Sequence, residues 1–321
     1  FGQRFPWHIE AARKGNIVSF GYRDPLYQWT GTQYSYQIGT NGMCSENFFQ
    51  EVPWYLNIPT NHRIRYWWGH DCLKKLHLCP QRDLVYGASP FVYSSELYQN
   101  KPKSSKFQAI FLPKGDGCEE AKGRFTMWSE LVDDQAKVDR FLATLDALNV
   151  DNPIFIAFPT DYVYWESRLP KSMLSRIFCI GFDRFDPLWN TRMIDLINHC
   201  SELYFHMIST PSVYASYMGK NVKFYSTELL NLVDKDIRLK DKPIYTLDRD
   251  RTPKIFNDFM EYITDTFENK TSDLGYWITQ FLSLDLVKDY DELAADLLTL
   301  EQRNASIRMR LPSGGLYGDY G

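Results

Sequence analysis

Between residues 107 and 225, short and nearly uninterrupted apolar runs alternate with stretches whose apolar residues recur every three or four positions. A strand that is apolar along its whole length has no face to give to water, so it belongs in a parallel sheet covered on both sides by helices. Phe107 to Leu112, Pro153 to Phe158, Ile177 to Ile180, Leu203 to Phe205 and Val222 to Tyr225 read as five such strands. Between them, Val138, Phe141, Leu142, Leu145 and Leu148 draw one helical stripe, and Trp189, Met193, Leu196, Ile197 and Cys200 draw another that Asp186-Pro187 starts. A short capped helix follows Ser209 and ends at Gly219. Ligands of such sheets lie at the carboxyl ends of the strands, which places the loops at 113–116, 159–162, 181–183 and 206–212 together.

Beyond Lys240 the pattern turns helical, with Ile255, Phe256, Phe259, Met260, Ile263 and Phe267 on one stripe and further stripes between Leu274 and Leu300. The first hundred residues hold weaker signals: strands at Asn16 to Phe20, Ile64 to Trp68 and Leu84 to Tyr86, and a helix around Ser45 to Leu56. The Lys, Pro and Ser-rich stretch from Asn100 to Lys106 marks a boundary, giving lobes at 1–103 and 104–321. The C-terminal helices are expected to pack on the second lobe, one of them crossing back to the first.

Length and charge narrow the functional classes. A chain of 321 residues has room for about two domains. A net charge of −4 and a pI near 5.9 argue against a dedicated nucleic-acid binder, which needs a basic surface. A local basic cluster, His62, Arg63, Arg65, Lys74, Lys75, His77 and Arg82, reads either as a solvated face or as an anion or acceptor site. The six cysteines show neither zinc-ligand spacing nor a disulfide framework, so reduced thiols and a cytoplasmic setting are expected. No apolar run is long enough to span a bilayer.

Several residues could carry chemistry. Ser209, Thr210, Ser212 and Tyr214, where a strand passes into a helix, would offer hydroxyls and unpaired amides to a phosphate; the plain alternative is a well-capped helix. Lys114 and Gly115, in the loop after the first strand, and Arg124 beyond it could neutralise the phosphates of a leaving group or be solvated. Asp161 and Glu166 flank the end of the second strand, where a carboxylate could bind a ribose or sugar hydroxyl, act as a nucleophile, or merely form a surface cap. Trp67, Trp68 and Trp165 could stack on sugar rings or pack a core.

The segment from Leu196 to Tyr225 resembles the donor-binding lobe of GT-B-fold glycosyltransferases, particularly enzymes building bacterial surface polysaccharides. There a strand leads to a Ser/Thr-bearing loop, a helix ending Gly-Lys and a further strand. The resemblance implies that Ser209, Thr210 and Ser212 hold the donor phosphate and that His206 lies beside it. It implies an α/β, GT-B-like fold of two Rossmann-like lobes with parallel sheets and a helical C-terminal segment. A second segment, Trp68 to Leu76, is similar to the Trp-His-Gly-x-x-Leu-Lys stretch of CDP-glycerol glycerophosphotransferases, with Gly69 and His70 in transposed order. In that family the histidine takes part in proton transfer, which implies His70 as general base with Asp71 as its orienting partner or as the base itself. The plain alternatives are a partly buried hydrogen-bonding side chain for His70 and a cap of the following helix for Asp71.

Other classes lack their signatures. There is no G-x-G-x-x-G after a strand, no phosphate-binding G-x-x-x-x-G-K-[ST] and no G-x-S-x-G elbow. Asp248-Arg249-Asp250 has the shape of a metal-binding Asp-x-Asp but falls after the α/β array, so metal-independent transfer with no resident cofactor is expected. The expected partners are a nucleotide-sugar donor and a glycan or glycolipid acceptor, without nucleic acid; peripheral association with the inner face of a membrane stays open. A CDP-alcohol phosphotransferase and a non-catalytic carbohydrate-binding protein are the alternatives. The sequence opens on Phe1 rather than Met and the first lobe is short for the fold, so that lobe is expected to be short or truncated.

Overall fold

In the computed structural model the described residues are 23–31, 39–42, 65–68, 84–98, 107–112, 135–158, 162–181, 188–206, 208–225 and 253–310. In chain order they form α1 (Arg23–Thr30), β1 (Gly39–Gly42), β2 (Arg65–Trp68), β3 (Leu84–Tyr86), α2 (Pro90–Leu97), β4 (Phe107–Phe111), α3 (Gln135–Ala147) and β5 (Ile154–Ala157). There follow α4 (Tyr162–Arg168), α5 (Lys171–Leu174), β6 (Ile177–Cys179), α6 (Trp189–His199), β7 (Cys200–Phe205), α7 (Thr210–Tyr217) and β8 (Asn221–Phe224). Three further helices complete the described residues: α8 (Pro253–Glu268), α9 (Leu274–Leu282) and α10 (Tyr290–Arg310), with a 3₁₀ turn at Leu284–Leu286. No helix among the described residues is long and apolar enough to cross a membrane.

The chain divides into two compact units, one of residues 1–100, 185–191 and 277–321 and the other of 101–184 and 192–276. Residues 185–191 and 277–321, assigned from the sequence to the C-terminal lobe, thus group with the first unit. Backbone hydrogen bonds explain much of this. Ser89 N–H donates to the Leu282 carbonyl at 2.8 Å, Ala88 N–H to Leu286 at 3.1 Å, and Lys288 N–H to the Tyr93 hydroxyl at 3.1 Å.

In the first unit, β1, β2 and β3 make a parallel three-stranded sheet in that order. The Tyr66 hydroxyl donates to the Ala88 carbonyl at 2.8 Å, passing so close to Gly87 that no side chain could stand there. Helix α2 is buried from Pro90 through Ser95, and the side-chain amide of Asn190 donates a hydrogen bond to the Ser94 hydroxyl at 3.1 Å.

The second unit holds a five-stranded, wholly parallel sheet in the order β6-β5-β4-β7-β8. This is a mixed α/β, Rossmann-like arrangement. Helices α3 to α5 share one core with the sheet, where Phe141, Leu145, Trp165, Leu169 and Met173 bury against Ile110, Leu112, Phe155, Ala157, Ile177 and Tyr225. Helix α6 turns its buried Met193, Ile194 and Ile197 inward. Each such side chain removed from water contributes ~1.5–3 kcal/mol, which is why the strands carry apolar residues in unbroken runs.

Helix α6 runs into β7 without a loop. Cys200, expected to end the helical stripe, is the first residue of the strand. Lys220 makes the junction tenable: its ammonium donates to the carbonyls of Asn198 at 3.0 Å and Cys200 at 2.9 Å, occupying acceptors at a helix end that carries partial negative charge. Gly219, two residues beyond the end of α7, has φ +73°. Gly219 N–H bonds to Ser216 and Lys220 N–H to Ala215, both at 2.9 Å, a Schellman cap that needs glycine at its left-handed position.

Candidate anion-binding site

The strand order fixes where a ligand could sit in the second unit. From β4 the chain winds outward through β5 to β6, and from β7 it winds the other way to β8, so the connections leaving β4 and β7 diverge. At such a reversal the carboxyl ends of the two central strands leave a crevice, the usual ligand site of an open parallel sheet. At these strand ends the buried rings of Phe111 and Phe205 stack with centroids 4.5 Å apart.

Tyr225, just past β8, ties both strand ends. Its N–H donates to the Phe205 carbonyl at 3.0 Å and its hydroxyl donates to the Phe111 carbonyl at 2.6 Å. Burial pushes its phenol well above the usual range, so it stays a hydroxyl donor.

His206 is the first residue beyond β7, its ring 6.5 Å from that of Tyr225. It is buried, and desolvation lowers its pKa to about 3. The imidazole is therefore neutral at neutral pH, able to hydrogen-bond to a ligand but carrying no positive charge toward it.

The stretch that follows is less open to an anion than its sequence suggests. The Ser212 hydroxyl accepts from Ser209 N–H at 2.9 Å and donates to the Ser209 carbonyl at 2.7 Å. That carbonyl also accepts from Ser212 N–H at 3.0 Å and Val213 N–H at 3.1 Å, and Pro211 has no N–H to offer. Among the described residues, the amide left over at the start of α7 is that of Thr210, beside the half-buried side chains of Ser209 and Thr210. Ser212 is wholly buried and spent on capping, while Tyr214 is a core residue at 1% exposure.

The remaining expected residues fall differently. Glu166, expected to flank the end of the second strand, lies exposed on α4, and its neighbour Trp165 is packed in the core at 3% exposure. Trp68 is likewise buried. Neither tryptophan is placed to stack on a sugar, because both were recruited to core packing. His70, Asp71, Lys114, Gly115 and Asp161 lie outside the described residues, as do Trp67's side chain, Arg124 and Asp248 to Asp250. Tyr225 was read as a strand residue only; the available signal was a tyrosine ending an apolar run, since a buried phenol must find a partner.

No family model matches the sequence, and no curated protein matches it. Among solved structures the chain is similar to the wall teichoic acid polymerase TagF, with a TM-score of 0.35 and 10% identity over 78% of this chain. The match spans 59% of the length of that structure.

Proposed function

We propose that the chain is a transferase of GT-B-like organisation that binds a nucleotide-linked sugar through its phosphates and passes the sugar to a glycan or glycolipid acceptor. The observation supporting this reading is the position of His206, Ser209 and Thr210. All three lie on the stretch leaving β7, one of the two strands whose diverging connections form the crevice.

The Thr210 amide, the nearby hydroxyls and the positive end of α7 are neutral donors, and together they favour phosphate oxygens without a fixed cation. In the reaction, the acceptor hydroxyl forms a bond to the anomeric carbon as the bond to the nucleoside diphosphate breaks. The base that takes the hydroxyl proton is proposed as His70, oriented by Asp71, on the resemblance of that segment alone. Lys114 and Gly115 are assigned to the leaving diphosphate, and Asp161 and Glu166 to hydroxyls of the donor. No metal is assigned a part.

Transfer of an alcohol phosphate from a CDP-linked donor is the second reading, favoured by the segment Trp68 to Leu76. Thermal-shift measurements with UDP-, GDP-, TDP- and CMP-sugars and with CDP-glycerol separate the two. Stabilisation by a nucleotide sugar supports glycosyl transfer, and stabilisation by CDP-glycerol alone supports the second reading. An unchanged melting temperature with every compound contradicts both.

A further inference from the structure

We infer that Tyr225 is a positioning residue that sets the width of the crevice between β4 and β7, and so the fit of a ligand's diphosphate; this rests on the proposed nucleotide-binding role of that crevice. Along a strand, the N–H and carbonyl of one residue point to the same neighbour and those of the next residue to the other. Leu112 N–H donates to the Ile156 carbonyl of β5 at 2.9 Å, so the Phe111 carbonyl points the opposite way, toward β7.

The paired register of β4 with β7 ends at Ile110 and Tyr204. One residue later the Phe111 carbonyl is taken by a hydroxyl arriving from β8, two strands away. The same residue's N–H holds the Phe205 carbonyl. A single residue thus fastens both strand ends where they begin to part, β7 by its backbone N–H and β4 by its hydroxyl, and its ring centroid lies 6.5 Å from that of His206 and 6.2 Å from that of Phe141. Tyr225 touches no ligand in this role. It fixes the spacing of the groups that would.

The test is Tyr225→Phe, which keeps the ring and removes the hydroxyl. Binding of UDP, GDP and CDP, and of uridine, guanosine and cytidine, is measured by calorimetry for the wild type, Tyr225→Phe and the core control Leu145→Ala. The expected result is a loss of diphosphate affinity on the order of tenfold in Tyr225→Phe, with nucleoside affinity unchanged and the control retaining both. A wild type that binds one of these nucleotides and a Tyr225→Phe that binds it equally well overturn the inference while leaving the proposed function standing. A wild type that binds none overturns the inference, and the proposed function falls with it when TDP- and CMP-sugars also leave the melting temperature unchanged. Should Tyr225→Phe not fold, hydrogen exchange on the wild type decides: nucleotide must slow exchange of the Tyr225 amide, and an unchanged rate overturns the inference.

Discussion

A Cβ built on Gly87 would lie 2.0 Å from the Tyr66 hydroxyl oxygen and 2.6 Å from the ring carbon that bears it. The glycine is required by this approach, not by its backbone angles. Gly87→Ala must push Tyr66 aside and break its bond to the Ala88 carbonyl, costing ~2–4 kcal/mol from strain and a lost buried hydrogen bond. Urea unfolding measures it, and adding Tyr66→Phe should recover part of the loss by removing the nearest atom. A Gly87→Ala protein of wild-type stability would contradict the packing described.

Lys220 holds the end of α6 against the start of β7 through two carbonyls. Lys220→Met keeps most of the aliphatic stem and discards the charge. The expected cost is ~1–3 kcal/mol, read from the denaturant midpoint, with amide exchange quickened at residues 198–203. Exchange quickened evenly over the whole unit would mean that the lysine acts in some other way.

His206 gives the protein a pH signature. Its folded pKa, lowered to about 3 by burial, lies below the ordinary value of about 6.5 expected in the unfolded chain. The unfolded state therefore binds the extra proton first, and stability falls as pH drops from about 6.5 toward 3, by up to ~1.4 kcal/mol per pH unit from this group. Above about 6.5 the group contributes no slope. Melting temperature against pH should decline less steeply for His206→Gln than for the wild type across that window. Parallel curves would show that the histidine is not buried neutral.

Ser212 and Thr210 should separate stability from binding. Ser212→Ala removes both bonds to Ser209 and is expected to cost ~1–2 kcal/mol. Thr210→Val removes a half-buried hydroxyl and should leave stability within ~0.5 kcal/mol while weakening nucleotide binding several-fold. Calorimetric titration of the two variants with the nucleotide that stabilises the wild type checks the contrast.

The parts of the fold that were legible are those in which local pattern and tertiary burial agree. Strands β4 and β5 announce themselves because consecutive residues are buried on both sheet faces, and α3, α6 and α8 because one face of each is apolar. Helix α2 leaves no stripe, since Pro90 to Ser95 are all buried, and β1, of sequence Gly-Thr-Asn-Gly, has no strand preference of its own and is held by pairing with β2. Cys200 kept the helical spacing but began the strand, because the Lys220 ammonium that ends the helix comes from twenty residues away. At the candidate site, Ser209 and Thr210 were legible as a helix start. That Ser212 would spend its hydroxyl on the cap, that Trp165 would enter the core and that Tyr225 would brace two strands depend on contacts between distant segments, which periodicity does not encode.

The crevice between β4 and β7 is the centre of the functional account, and a crystal structure of the full chain grown with the nucleotide that most raises its melting temperature tests it most directly. Phosphate oxygens are expected within hydrogen-bonding distance of the Thr210 amide, with His206 and the Tyr225-braced strand ends beside them. Phosphates bound elsewhere on the chain, with the start of α7 left unoccupied, would contradict it.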